Sequence, residues 1–212
     1  MLSNLFHAQF SVTIPSGRYS QWVASTTEVT PSERRSSASR ARILEAAYEV
    51  VRVRGTTAMT LDAVADAAEV SKGGLLYHFP SKDALLRAMV DRLVGDYTHA
   101  VRTHAAADEN PLGRSARSYV RAGTDTLRDA DVWLALVAAL GEGPNLLEPW
   151  REVCAGWMDT DHSEGVDIVS STIARLATDG LWLADVLGVE PVDTEVRAKM
   201  LQRLEAMTEE PA

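Results

Sequence analysis

From Thr60 to Leu86 the chain reads TLDAVADAAEVSKGGLLYHFPSKDALL. Two short helical patterns lie here, each behind a hydroxyl residue able to cap it. Thr60 caps the first, whose apolar face is Leu61, Val64, Ala65 and Ala68. Ser71 caps the second after the turn Ala68-Glu69-Val70, and Leu75, Leu76 and Phe79 supply its core contacts. Pro80 ends it, because the residue before a proline disfavours helix. Ser81 then caps a longer helix with Leu85, Leu86, Met89, Val90, Leu93, Val94 and Tyr97 along one side. Two short helices joined by so tight a turn make a helix-turn-helix, with Ala65 small enough for the crossing and Val70 plugging the gap. The second helix turns Lys72, Gly73, Gly74, Tyr77 and His78 outward. Small, basic and hydrogen-bonding groups suit close approach to a DNA groove. The helix starts at Thr60, Ser71 and Ser81 offer N–H groups to phosphate, with Lys82 beside the last. Helix clusters with short turns also occur in proteins that never touch DNA, so the geometry alone leaves both readings open.

Upstream, Ile43, Ala46, Ala47, Val50 and Val51 recur at helical spacing, and Gly55 offers a left-handed stop. The basic side chains Arg34, Arg35, Arg40 and Arg42 precede that stripe and suit phosphate or a minor groove. Residues 1–37 are rich in Ser and Thr without a helical or strand period, and read as a mostly disordered extension.

The 212 residues hold 21 Lys/Arg and 30 Asp/Glu, a net charge of −9, unevenly spread. Residues 33–104 are net +2, whereas residues 105–212 are net −11. The acidic total argues against nonspecific nucleic-acid binding by the whole chain but leaves room for a local face. An apolar content of 46% is that of a globular protein, and the length supports a core without staples. A single cysteine, Cys154, excludes an internal disulfide framework. No apolar run reaches the ~18 residues of a membrane span, and no secretory signal is visible, so the expected location is the cytoplasm with no membrane partner.

After Asn110-Pro111 a second block begins, with apolar runs Tyr119–Leu127, Val132–Leu140, Leu146–Met158 and Val166–Leu187, then a last helix over Val192–Met207. Gly141–Pro144 and Gly188–Pro191 break the pattern, and no segment reads as hairpin strands. The fold class is all-α, about nine helices. The organisation is an extension (1–37), a DNA-binding domain of three helices with a helix-turn-helix (38–98), and a helical ligand-binding and dimerisation domain (99–212). Four of the five tryptophans, Trp133, Trp150, Trp157 and Trp182, fall in the acidic block, where they are either core or the wall of a ligand cavity. With Leu136 and Asp179 they form the candidate effector site. Tryptophan beside carboxylates favours a flat or cationic hydrophobic ligand, with a neutral lipid-like or phenolic one as the rival. Val169, Ile173, Leu176, Gly180, Leu183 and Leu187 alternate at four and three, a heptad seam. Val196, Met200, Leu204 and Met207 repeat it on the last helix. These seams close either the monomer core or a four-helix dimer interface.

The stretch 60–86, with Arg42-Ile-Leu-Glu-Ala-Ala and Gly55-Thr56-Thr57 before it, resembles the DNA-binding region of TetR-type transcriptional regulators. Residues 38–98 carry the resemblance closely, and Asp179-Gly-Leu-Trp-Leu-Ala-Asp-Val-Leu-Gly188 is similar to a segment of one branch of that family. Two positions depart from it: Glu69 stands at a turn often held by glycine, and Gly74 where a small hydroxyl or proline often reads bases. The resemblance implies phosphate contacts by Thr60, Tyr77, His78 and Lys82, and places Ser71, Lys72, Gly73 and Leu75 in or near the major groove. It implies an effector in the second domain and a dimer of two such helix pairs.

Enzyme chemistry finds little support. Cys154 has no visible base partner, and neither a phosphate-binding glycine loop nor a nucleophile elbow occurs. Asp159, Asp161 and His162 form a compact polar cluster that reads as a loop or cap before a metal site. The expectation is therefore a non-enzymatic homodimeric repressor without cofactor, binding a palindromic double-stranded DNA operator and controlled by a small hydrophobic effector. The alternative is a small-molecule-binding module or hydrolase with a vestigial helix-turn-helix.

Overall fold

The computed structural model describes residues 31–55, 59–125, 148–189 and 192–212. Among these the protein is all-α, with eight helices: α1 (Pro31–Arg54), α2 (Leu61–Ala67), α3 (Lys72–His78), α4 (Lys82–Ala107), α5 (Arg114–Asp125), α6 (Glu148–Ser163), α7 (Ile168–Leu187) and α8 (Thr194–Met207). The expected run Val132–Leu140, with Trp133 and Leu136, lies outside the described residues, as does most of the extension. Helix α1 starts at Pro31, seven residues before the expected boundary at 38. A proline suits that position, since a first-turn N–H has no partner to lose.

Three equivalent caps start the helices of the head. The hydroxyls of Thr60, Ser71 and Ser81 accept from the N–H groups of Ala63, Gly74 and Ala84, each at 3.1 Å. Between α2 and α3, Glu69 takes the left-handed conformation (φ 54°) expected of glycine there. That costs a non-glycine residue about 1–2 kcal/mol, and the core beneath holds it: Val64, Ala65, Ala68, Leu75 and Phe79 are all buried. Val70 packs against this core as the expected plug. Leu76 was expected in the core as well, but it is exposed, since a two-turn helix has room for only Leu75 and Phe79 on its inner face.

One apolar core runs from the head into the second block. It includes Ile43, Val51, Leu86, Met89, Val94, Tyr97, Val101, Tyr119 and Trp157. Helix α4 is its spine, so the expected boundary at 98/99 falls inside a helix. At the head, α4 is tied to α1: the Tyr48 hydroxyl donates to the Met89 carbonyl at 2.7 Å, and Arg92 pairs with Glu45 at 2.6 Å. A second cluster, Val120, Ala174, Leu181 and Leu204, joins α5, α7 and α8. Leu204 therefore corrects the seam expected on the last helix: it is buried within its own chain, facing α5 and α7.

A polar lock closes the far end. Arg117, 2% exposed, holds Asp108 through two hydrogen bonds (2.6 and 3.0 Å) and the carbonyls of Leu112 and Asn110. Arg121 bridges Asp108 to Glu205 of α8. Burial acts to raise the Asp108 pKa, but the hydrogen bonds and charge of Arg117 outweigh it and hold the carboxyl below its ordinary value. Gly113 (φ 61°) packs directly on the Thr208 carbonyl, where a Cβ has no room. The chain end is strapped beside this lock, with Val166 and Pro211 pairing as a β-bridge.

Candidate nucleic-acid interface and effector site

Helix α3 divides its side chains cleanly. Leu75 is 0% exposed, whereas Tyr77 is 80% exposed and stacks edge-on against His78. Ser71, Lys72 and Gly73 are exposed on the same outer surface, with Gly74 and His78 half-buried at its margin. Leu75, expected among the core contacts of this helix and placed by the resemblance in or near the groove, has its side chain wholly in the core. Lys72 is held by Asp62 of α2, with Nζ 2.9 Å from the carboxylate. Both side chains remain more than half exposed, so this pair is screened by water and easily opened. Gly74 has a local reason to lack a side chain: a Cβ there would meet the Ser71 hydroxyl at 3.3 Å and crowd the cap. Arg42 and Thr60 are exposed and Lys82 half-buried, while Arg40 lies 5.0 Å over the Phe79 ring. The three cap residues are thus exposed, with Lys82 half-buried beside the last of them.

The second constellation is aromatic and buried. Tyr97 of α4, Tyr119 of α5, and Trp150 and Trp157 of α6 meet edge to face, with centroids 5.0–5.8 Å apart. The Tyr97 hydroxyl donates to the Tyr119 carbonyl at 3.1 Å, and the Tyr119 hydroxyl donates to Asp179 of α7 at 2.6 Å. Trp150 is half-buried, Trp157 is core, and Trp182 is half-buried on α7. Of the expected effector residues, Trp150, Trp157 and Asp179 are brought together around Tyr97 and Tyr119.

Sequence reasoning missed the group that organises this cluster. Arg175 of α7 is buried, with its guanidinium 4.7 Å over Tyr119 and 5.6 Å from the Trp157 ring. It binds Asp161 through two hydrogen bonds (2.9 and 2.7 Å) and donates to the Ser115 hydroxyl at 2.9 Å. Asp161 is thus an ion-pair partner, and no group able to hold a metal is present among the described residues. Arg175 is the one basic residue in the run Val166–Leu187, and that isolation was the available signal. Burial lifts the Cys154 thiol to about 11, helped by Asp179, so the thiol is neutral at pH 7. Burial also raises the pKa of Asp179, against the lowering by the Tyr119 hydroxyl and Arg175.

The seam of α7 lies open. Val169, Ile173, Leu176, Leu183 and Leu187 are exposed, as are Val196 and Met200 on α8. Gly180 sits in the same row, exposed, and a Cβ there would touch nothing among the described residues.

A capped helix-turn-helix with a polar outer face, carried on an all-α body with a buried aromatic cluster, defines the chain as a DNA-binding transcriptional regulator of the helix-turn-helix class. A family model described as "Bacterial regulatory proteins, tetR family" matches residues 43–89, and one described as "Tetracyclin repressor-like, C-terminal domain" matches residues 113–209. The chain is 31% identical over 174 residues to the HTH-type transcriptional regulator BetI of Burkholderia mallei (strain NCTC 10229), covering 76% of this chain and 88% of that protein. A solved member of the TetR family from Streptomyces coelicolor A3 superposes with a TM-score of 0.62 at 25% identity, covering 78% of this chain and 97% of the other. The multidrug binding protein EbrR, solved with imidazole, superposes with a TM-score of 0.55 at 26% identity, covering 78% and 93%. The chain belongs to the tetR family of bacterial regulatory proteins.

Proposed function

We propose that this regulator is a homodimeric repressor that releases or changes its grip on a palindromic operator when a small, largely hydrophobic effector enters the second block. The observation that carries the reading is the division of α3, which packs Leu75 and Phe79 inward and leaves Ser71, Lys72, Gly73, Gly74, Tyr77 and His78 facing out between three capped helix starts. In the groove, Lys72 leaves Asp62 for a base or phosphate. Thr60, Tyr77, His78, Lys82 and Arg42 hold the backbone on either side. The exposed rows of α7 and α8, from Val169 to Leu183 with Gly180 and from Val196 to Met200, pair with their two-fold copies. Two heads so linked face half-sites about one turn, roughly 34–36 Å, or a multiple apart.

The effector site is the ring cluster of Trp150, Trp157, Tyr97 and Tyr119 with Asp179 and Trp182; the expected Trp133 and Leu136 lie outside the described residues. EbrR, the similar multidrug binding protein solved with imidazole, supports a ligand role for this block. Tyr97 lies on α4 fifteen residues beyond Lys82, about 22 Å along the helix. A ligand that moves the Tyr97 ring therefore tilts the helix whose start borders the DNA. A coupling of about 1–3 kcal/mol changes operator affinity roughly 5–150-fold.

Selection of bound fragments from a random DNA pool, followed by sequencing, tests the proposal. The expected result is an enriched palindrome whose binding falls steeply with salt. A folded, dimeric protein that enriches nothing would favour the binding-module alternative.

A further inference from the structure

Among the described residues, one polar group in the aromatic cluster has no partner. Arg175 uses Nε and one Nη to grip Asp161, and the same Nη to reach Ser115. The other nitrogen, Nη1, is buried and donates to nothing. A guanidinium is planar, so an edge given to Asp161 leaves Nη1 on the opposite side. Buried donors are nearly always paired, and an unpaired one calls for an explanation. On the Ser115 side of this cluster is a cavity of about 20 Å³, room for one water, lined by Thr98, Val101, Arg102 and Ala105 of α4, Ser115 of α5, Trp157 of α6, and Glu164. Ser115 and Trp157, which touch Arg175, are two of its walls.

Resting on the effector reading above, we propose that Arg175 selects the effector by donating Nη1–H to it, and that the ligand class is a neutral aromatic molecule carrying a carbonyl acceptor. Three features narrow the class. The ring faces of Tyr119 and Trp157 already carry the guanidinium, so an organic cation meets repulsion where it would otherwise find attraction. This reverses the preference for a cationic ligand drawn from tryptophans and carboxylates alone. The charge of Arg175 is already matched by Asp161, and Arg102 and Arg114 are set against Glu164 and Asp179, so the surroundings hold no surplus positive charge for an anionic ligand. A neutral acceptor completes Arg175 and adds no charge. Its aromatic body fits among rings, and a phenolic hydroxyl on it has Asp179 as an acceptor. The cavity is too small for such a ligand as it stands. Binding parts the rings, including Tyr97 of α4, and recognition and displacement of that helix become one event.

Calorimetric titration of the full-length protein with three probes of similar size tests this. They are 4-hydroxyacetophenone, 4-ethylphenol, which lacks the carbonyl, and phenyltrimethylammonium. The wild-type chain is expected to bind 4-hydroxyacetophenone about tenfold more tightly than 4-ethylphenol, with the cation weakest. That order needs no variant. Arg175→Lys keeps a charge for Asp161 and removes the planar fork; the pair replacement Arg175→Met with Asp161→Leu avoids a stranded carboxylate. In either, the ratio of the two affinities should fall to about one, whatever the change in the affinity for 4-ethylphenol itself. Equal affinities, tightest binding of the cation, or a preference that survives both substitutions overturns the role of Arg175 and leaves the ring cluster standing as an effector site. If none of the three binds the wild-type protein, the effector reading of the cluster falls, and this inference with it.

Discussion

The head and the body of this protein bury their polar groups differently. In the head, charge stays at the surface: Lys72 and Asp62 pair with both side chains more than half exposed, and the buried residues of α2 and α3 are apolar. In the body, two arginines are taken inside. Arg117 is locked to Asp108, and Arg175 to Asp161 beneath an aromatic cluster. A surface that must exchange partners for phosphates gains from weak pairs, because an exposed salt bridge is worth at most about 1 kcal/mol. In the body, buried pairs fix helices to one another, and their disruption costs far more. The difference is one between contacts meant to be replaced and contacts meant to persist.

Breaking the body should therefore have the largest effect. Asp108→Ala strands the buried Arg117 and is expected to cost about 3–5 kcal/mol, lowering Tm by roughly 10 °C in a thermal melt. The same lock should respond to acid. Asp108 has a folded pKa below its ordinary value, so its contribution is complete above the unfolded value of 3.8 and is lost as pH falls through the folded pKa. Melts of wild type should fall in that acid range more steeply than those of a variant in which Arg117 and Asp108 are both replaced by apolar residues.

Next comes the core of the head. Leu75→Ala should cost about 2–5 kcal/mol, whereas Leu76→Ala, at the neighbouring exposed position, should change stability by less than about 0.5 kcal/mol. Equal costs would mean that α3 is rotated from the orientation described. Lys72→Ala should leave the melt almost unchanged, weaken operator binding, and lower the salt slope by about 1. A Lys72→Ala protein that binds operator like wild type would overturn the docking of α3. Smallest is Ser81→Ala, which removes one of three equivalent caps and should cost about 1 kcal/mol.

The head was nearly all legible from the chain, because its determinants are local. The caps at Thr60, Ser71 and Ser81, the stop at Pro80 and the turn at Glu69 act within a few residues of themselves. The error there was one of facing. Leu76 was expected in the core with Leu75 and Phe79 and is exposed, since a two-turn helix gives a period too few repeats to fix its phase. The body was legible as helices but not as contacts. Its deciding pairs, Arg117 with Asp108 and Arg175 with Asp161, join different turns or different helices, and no spacing announces them. Leu204 shows the same limit: a heptad row marks an apolar face without saying whether its own chain or a copy covers it. For α7 the structure narrows that choice, since Val169, Ile173, Leu176 and Leu183 stay exposed among the described residues.

The central claim is that a head complete within one chain reads DNA only through the seam of the body. Gly180→Glu puts a charge into that seam where an added Cβ touches nothing among the described residues. Light scattering after size exclusion, paired with anisotropy titration on the selected palindrome, measures both halves of the claim on one sample. The account predicts a folded monomer whose affinity for the palindrome falls about 10²–10⁴-fold, as expected when two linked sites become one. A variant that stays dimeric, or a monomer that holds the palindrome as tightly as wild type, would contradict it.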